Sequence, residues 1–193
     1  MPEKPDEQLI EEFKQGDENA MQVLFLKYNG RILNFALRIV GNRADAEDVT
    51  SEVFLAVLHQ KYIWQPSAKF ATWLFTIARN ACLTRIRQKR NSLSLWFLSS
   101  KNEEDFFDIP DTRENSRETL VKREEAQTVR RAVAKLPVEQ REAIVLREYH
   151  GFSYAEIAQV LGCSLEKVKI LIFRAREQLK TELASSFQGG PSQ

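Results

Sequence analysis

The sequence predicts an all-α chain of two small helical domains joined by a flexible linker, and three observations carry that reading. Apolar residues recur at three- and four-residue steps in both halves of the chain. Between them, residues 92–123 lose the period and turn serine-rich and acidic around Pro110. Glycine and proline number only 7 and 6 in 193 residues, which suits helices better than many tight turns. The 43% hydrophobic content is enough for each domain to bury a core.

The helical period begins near Asp6, where Leu9, Ile10 and Phe13 share a face. Gly16-Asp17 interrupts it, and Asp17 is placed to cap the next helix, which carries Ala20, Val23, Leu24 and Leu26. A further run, Ile32, Phe35, Ala36, Ile39 and Val40, ends at Gly41-Asn42, a good helix stop. The next helix starts near Ala44 with Val49, Val53, Phe54, Val57 and Leu58. It gives way to a loop at Tyr62–Ser67, because Pro66 disfavours helix at Gln65. A fourth helix, from about Ala68, buries Phe70, Trp73, Leu74 and Ile77 and runs to about Arg90. These elements define a first domain, residues 6–91. The linker, 92–123, carries Trp96, Phe97, Phe106 and Phe107, more aromatic surface than a passive tether needs. A second domain, 124–187, has breaks at Leu136-Pro137, His150-Gly151 and Gly162-Cys163-Ser164.

Net charge is only +1, but charge is segregated. Arg79, Arg85, Arg87, Lys89 and Arg90 follow one another with no acid between them, whereas Glu103–Glu118 is strongly acidic. Cys82 and Cys163 sit in no zinc or redox spacing and read as two reduced thiols. Met1–Gln15 is too polar for a signal peptide, and no apolar run approaches the ~20 residues that cross a bilayer. We expect a cytoplasmic chain without membrane insertion.

The most specific motif spans Phe152–Leu179. Ser153 and Glu156 form a capping box, S-x-x-E, that opens one helix. Gly162 ends it, and Ser164 can cap the next. Ala158, Gly162 and Val168 have helix-turn-helix spacing: a small residue for close approach, a left-handed turn, and an apolar lock. On the second helix Val168, Ile172, Ala175 and Leu179 line one face. Lys167, Lys169, Ile170, Phe173, Arg174 and Arg176 lie elsewhere around it and are the candidate duplex contacts, since cations meet phosphates and base edges in the major groove. An ordinary helical hairpin with a solvated basic face is the plainer reading, but spacing, caps and charge agree on DNA binding.

In the first domain, Asp45, Asp48, Val49 and Glu52 recur at i, i+3, i+4 and i+7 on one helix. Taken alone, this is a solvated acidic face. Read with Gly41-Asn42-Arg43-Ala44-Asp45-Ala46-Glu47-Asp48, Glu52-Val53-Phe54, Phe70–Asn80, Leu136-Pro137 and Tyr154–Ala158, the chain resembles the extracytoplasmic-function group of the sigma-70 family. The resemblance covers both domains and not the linker.

It implies an RNA polymerase sigma factor that directs promoter-specific initiation and is no enzyme. The first domain would be region 2, with Asp45, Asp48, Val49 and Glu52 docking on the β′ clamp helices of core polymerase. Trp64, Gln65, Ser67, Lys69, Arg79, Asn80, Arg85, Arg87, Lys89 and Arg90 would melt and read the −10 element. Physics supports that division, because capturing an unstacked base needs aromatic surface beside a basic groove. The second domain would be region 4, reading the −35 element and meeting the β flap. An anti-sigma factor is the further partner implied, with attachment to a membrane through it. Ser51 stands where the family commonly has Gln. Ile170 and Leu171 stand where relatives often carry a small polar residue and Arg, so base reading there is apolar. The alternative is a stand-alone helix-turn-helix repressor, against which the paired region 2 motifs argue. For an enzyme the chain lacks the means. His59 and His150 lie in separate domains, and no triad, metal-ligand or phosphate-loop spacing is present, so no cofactor is expected.

Overall fold

Helix ends set the architecture, and four helix starts are fixed by local side chains. In the computed structural model, which describes residues 4–60, 62–65, 69–96 and 117–188, eight helices are present among the described residues. α1 (Asp6–Lys14) turns at Gly16, where φ is 103°, into α2 (Glu18–Val40). Asp17 caps α2 by accepting from the Asn19 amide at 3.0 Å. The runs Ala20–Leu26 and Ile32–Val40 are one continuous helix ended by Gly41 at φ 86°. Val23 and Leu26, expected on its inner face, are exposed, and Tyr28 takes the inward position instead. Asn42 does more than stop α2: its side chain accepts from the Asp45 amide at 3.0 Å and so starts α3 (Arg43–Gln60).

α4 (Phe70–Trp96) and α5 (Arg117–Ala134) both reach into the segment expected to be linker, at 92–96 and 117–123. Nothing in Ser92–Trp96 stops α4, since no proline or glycine occurs there. The aromatic and acidic residues from 97 to 116 lie outside the described residues. α6 (Val138–Glu148), α7 (Tyr154–Leu161) and α8 (Leu165–Gln188) complete the second region.

The first core forms where α2, α3 and α4 pack together, around Phe35, Ile32, Val53 and Leu74, each fully buried. The second gathers Ile157, Val160, Val168 and Ile172 with Val145 and Leu146 of α6. The two cores are continuous. Phe75 of α4 meets Phe152 edge-on at 4.9 Å and the His150 ring at 4.8 Å, and His150 also lies 5.9 Å from Phe35. Arg141 of α6 donates to the Ile39 carbonyl at the end of α2 (3.0 Å) and to Leu136 (3.0 Å) and Ala134. One guanidinium thereby satisfies carbonyls that two helix C-termini leave unpaired. Cys82 is buried and Cys163 half-buried, and both are free thiols; burial pushes the Cys82 thiol up to about 12.

Candidate nucleic-acid interface

The helix-turn-helix forms as its local chemistry dictates. Ser153 Oγ accepts from the Glu156 amide at 3.3 Å, and Glu156 Oε2 accepts from the Ser153 amide at 2.8 Å, closing the capping box. Gly162 adopts φ 62°, the left-handed turn conformation that other residues reach only with strain. Ser164 Oγ accepts from the Lys167 amide at 3.2 Å and starts α8. Val168, Leu171, Ile172 and Ala175 are buried, so Leu171 belongs to the core stripe and takes no part in a groove contact.

The opposite face of α8 is open. Lys169 and Arg174 are exposed, and between them Ile170 and Phe173 are 50% and 66% exposed. These residues fall at i, i+1, i+4 and i+5, a single stripe on a helix. Two apolar side chains in water amid cations are out of place on a solvated surface and suited to a groove with methyl groups. Lys167 and Arg176 flank the stripe and are tied to α6, to Glu139 at 2.9 Å and Glu148 at 2.7 Å. Those hydrogen bonds raise both cations above their ordinary pKa. Exposed pairs of this kind are weak and yield readily to phosphate.

The first region places its candidates less uniformly. On α3, Ala46, Val49, Val53 and Val57 form the buried face, while Asp48 and Glu52 are exposed. Val49 therefore cannot meet a partner: an i, i+3, i+4, i+7 set spans enough of the helix to include one residue from its inner flank. Leu55, 53% exposed, shares the outer face with Asp48 and Glu52, seven and three residues before it. Its signal was an apolar residue out of phase with the inner stripe. Asp45 is half-buried at the edge, where Lys89 Nζ lies 2.5 Å away. Burial opposes its ionisation, but hydrogen bonds from Asn42 and Lys89 outweigh that and hold its carboxyl below the usual range. Arg85 pairs with Asp48 at 3.2 Å, so residues expected to serve polymerase and DNA separately neutralise each other here.

Trp64 is 2% exposed and does not form an aromatic surface for DNA. Lys14 donates to its carbonyl at 2.9 Å and stands 4.8 Å over its ring, and Phe70 meets it edge-on at 6.5 Å. Chain entry into α4 is pinned by that contact, while the neighbouring Gln65 stays exposed. Asn80 and Arg87 are exposed on α4. Ser67 and the Arg90 side chain lie outside the described residues.

Two basic residues of this set face the second region. Lys69 Nζ sits 2.8 Å from Glu156, and Arg79 Nε 3.1 Å from Glu142, whose side chain is fully buried. Hydrogen bonding from Lys69, then from Ser153, lowers the Glu156 carboxyl to about 2. Burial raises the Glu142 carboxyl above its ordinary range, opposed by Arg79. Glu142, Arg141 and His150 carry this junction. None was recognisable in the sequence as a site, because each partner lies on a distant helix.

A helix-turn-helix with an open cationic and apolar face, joined to a helical domain with an acidic face and a basic helix, defines a DNA-binding transcription protein. The family described as Sigma-70 region 2 matches residues 24–92, and that described as Sigma-70, region 4 matches 126–179. The RNA polymerase sigma-H factor of Pseudomonas aeruginosa is 32% identical, covering 95% of this chain and 96% of its own. The ECF RNA polymerase sigma-E factor of Escherichia coli is 29% identical, covering 92% and 94%. Among solved structures, CnrH in complex with the cytosolic domain of CnrY has a TM-score of 0.68 at 27% identity, covering 94% of this chain and 99% of that one. The sigma factor RpoE in complex with the anti-sigma factor NepR from Bartonella quintana shares the fold, with a TM-score of 0.70 at 22% identity over 84% of this chain and 96% of that one.

The chain belongs to the extracytoplasmic-function group of the sigma-70 family. It is an RNA polymerase sigma factor that binds core polymerase and promoter DNA to direct promoter-specific initiation, and the stand-alone repressor is not favoured. No helix among the described residues is long and apolar enough to cross a membrane.

Proposed function

We propose that residues 6–91 act as region 2 and 124–187 as region 4, with 92–123 joining them. Asp48 and Glu52, with Leu55, form the surface for the β′ clamp helices, and Asp45 supports it from the edge of α3. Gln65, Lys69, Arg79, Asn80, Arg85, Arg87 and Lys89 serve the −10 element, with Ser67 and Arg90 in the same stretch of sequence. Lys167, Lys169, Ile170, Phe173, Arg174 and Arg176 serve the −35 element, and region 4 also meets the β flap. The chain catalyses nothing itself.

The observation that carries this reading is the open stripe of α8. Its cations are spaced for phosphate contact on both sides of an apolar pair, while the opposite face is locked into the core. An anti-sigma factor is a fitting partner, because CnrH and RpoE were solved with CnrY and NepR respectively. Such a partner would hold an otherwise cytoplasmic chain at a membrane if it were itself anchored there.

Reconstituted transcription tests the whole assignment. Purified chain added to core polymerase should initiate at discrete sites in a randomised promoter library, with two enriched elements. Uniform or absent initiation would overturn it, and protection of duplex DNA by a dimer without core would restore the repressor.

A further inference from the structure

Lys27, Arg31, Asn34 and Arg38 recur on α2 at i, i+4, i+7 and i+11 and so share one face of that helix. The turn after α6 brings Tyr149 and His150 against this face, and a cavity of about 400 Å³ lies between them with no acidic residue in its lining. We propose that this cavity is a binding site for a small phosphorylated anion, held by Arg31 and Arg38 with Lys27 beside them. The site is separate from the surfaces assigned to promoter and polymerase, so its failure would leave that assignment untouched.

Charge balance is the main argument. Other half-buried cations of the chain are satisfied by the protein itself: Arg79 pairs with Glu142, Arg85 with Asp48 and Lys14 with Glu11, and Arg141 donates to three carbonyls. Arg31 and Arg38 are half-buried too, yet among the described residues neither has a carboxylate within ion-pair distance. Arg31 donates to the His150 carbonyl at 3.3 Å, and Arg38 to the Asn34 carbonyl at 3.2 Å and side-chain oxygen at 3.1 Å, while Arg38 Nε is buried without a partner. Asp6 pairs with Lys27 at 2.9 Å and leaves both guanidiniums unbalanced. Both act on the His150 ring, where they add to burial in holding the imidazole neutral. A concave wall that carries two guanidiniums and no acid concentrates positive potential, and an anion is the partner that offsets it.

Phosphate is the anion that fits. A guanidinium presents its donors as a planar fork that matches phosphate oxygens in pairs, and it gives up its water more readily than an ammonium does. The volume lies within the roughly 300–1,000 Å³ of small-molecule sites and exceeds the needs of a single inorganic ion. Leu26, 72% exposed, and the Tyr149 ring, 4.0 Å from the Arg38 guanidinium, add apolar surface beside the charges. A phosphate group on a small organic body, such as a nucleotide, uses both kinds of surface. The DNA backbone is the other source of phosphate, but walls from α2 on one side and from Tyr149-His150 on the other suit a compact ligand better than a strand.

The test uses the full chain with labelled histidine, titrated with pyrophosphate and with ATP at physiological salt. NMR follows His150 in the cavity lining, and exposed His59 of α3 serves as the internal reference. Either small anion should shift the His150 resonances saturably and leave His59 in place. Tighter binding of ATP would make the organic body part of the ligand, and equal binding would define a polyphosphate site. Arg31→Gln with Arg38→Gln should weaken binding at least about tenfold. Arg43→Gln with Lys180→Gln, exposed cations of α3 and α8, should not weaken it.

Helicity of each variant is checked first. Should the double variant at the cavity not fold, Arg38→Lys keeps the charge but loses the fork, and it should still weaken binding. Absence of a saturable His150 shift in wild type overturns the proposal, as does equal binding by the cavity variant and the control pair. A random-sequence duplex that moves His150 where neither small anion does would assign the cavity to the DNA backbone, and that too overturns it.

Discussion

On α8, Lys169, Ile170, Phe173 and Arg174 stand in solvent, while in the first region Trp64 lies beneath Lys14 and Phe70, and Arg79 and Lys69 face carboxylates of α6 and α7. The two regions thus show their candidate DNA surfaces in different states of readiness. Duplex reading needs only a rigid helix in a groove, and a helix-turn-helix supplies that as it folds. Strand capture needs groups that become available when a base leaves the stack, and here Trp64 and Arg79 are largely covered while Gln65, Asn80 and Arg87 are exposed. The difference separates surfaces built by local sequence from surfaces governed by tertiary contacts.

The largest effect is expected at Trp64. If its burial is structural, Trp64→Ala should cost about 3–5 kcal/mol in stability, the range for emptying a large aromatic site. Denaturant melts of the free chain measure it, with Gln65→Ala as the neutral neighbour. Should Trp64→Ala leave stability intact and change the −10 preference, the ring swings out to read DNA, and the first region is as ready as the second.

Next in size is the outer face of α3. Asp48→Lys with Glu52→Lys should weaken core binding by at least about 2 kcal/mol, some 30-fold, as truncating or reversing interface charges does. Leu55→Ala should add to that loss, and Val49→Ala should not, because Val49 is internal. Fluorescence titration with core polymerase reads all three. A Val49→Ala loss at unchanged stability would mean that α3 rotates on docking.

These tests bear on how far a sequence of this kind can be read. Ser153, Glu156, Gly162 and Ser164 were legible because caps and left-handed turns are short-range, with donor and acceptor a few residues apart. Asp17 and the helical period of both cores were legible for the same reason. Val49 was misplaced because periodicity gives a face but not its centre. Leu171 and Ile172 are adjacent and both buried, which only the packing of α8 on α6 and α7 decides. Lys69–Glu156 and Arg79–Glu142 span whole regions of sequence, and no local pattern announces them. His150 was visible only as an unhelpful histidine, although it sits where the two cores meet.

His150 gives a smaller effect with a definite sign. Burial, then the Arg31 and Arg38 guanidiniums of α2, depresses it from 6.5 to about 3, and Phe75 of α4 and Phe35 of α2 enclose the ring. Between those values the unfolded chain binds a proton that the folded chain refuses, so stability falls as pH drops below 6.5. Lowering pH from 7 to 5.5 should cost about 1 kcal/mol, at ~1.4 kcal/mol per unit of differential titration. Glu142, shifted upward, acts in the opposite direction, so the quantity to measure is wild type minus His150→Phe. Equal pH slopes in the two proteins would show that the junction opens before His150 is protonated, which would bring the first region's surface closer to the readiness of α8.

The smallest effect separates the residues within α8. Arg174 and Lys169 stand exposed as charges on the face proposed for the groove, and a charge on phosphate adds affinity on every sequence. Arg174→Ala should therefore weaken binding to all duplexes alike and reduce the salt dependence by about one phosphate contact. Ile170 has no donor or acceptor, and its exposed position beside Phe173 offers only apolar contact, for which the thymine methyl is the matching feature of the major groove. Ile170→Ala should cost less in total, leave the salt slope unchanged, and lose about 1 kcal/mol of discrimination at a single T·A pair, the lower end for a base mismatch. Uracil in place of thymine isolates the methyl group. Wild type should be sensitive to that replacement at one position, and Ile170→Ala should be indifferent to it. If both proteins lose the same affinity on uracil DNA, the methyl is read elsewhere, and Phe173 becomes the residue to replace. If neither does, α8 positions the duplex through phosphates alone, and sequence preference at −35 comes from the shape of the DNA.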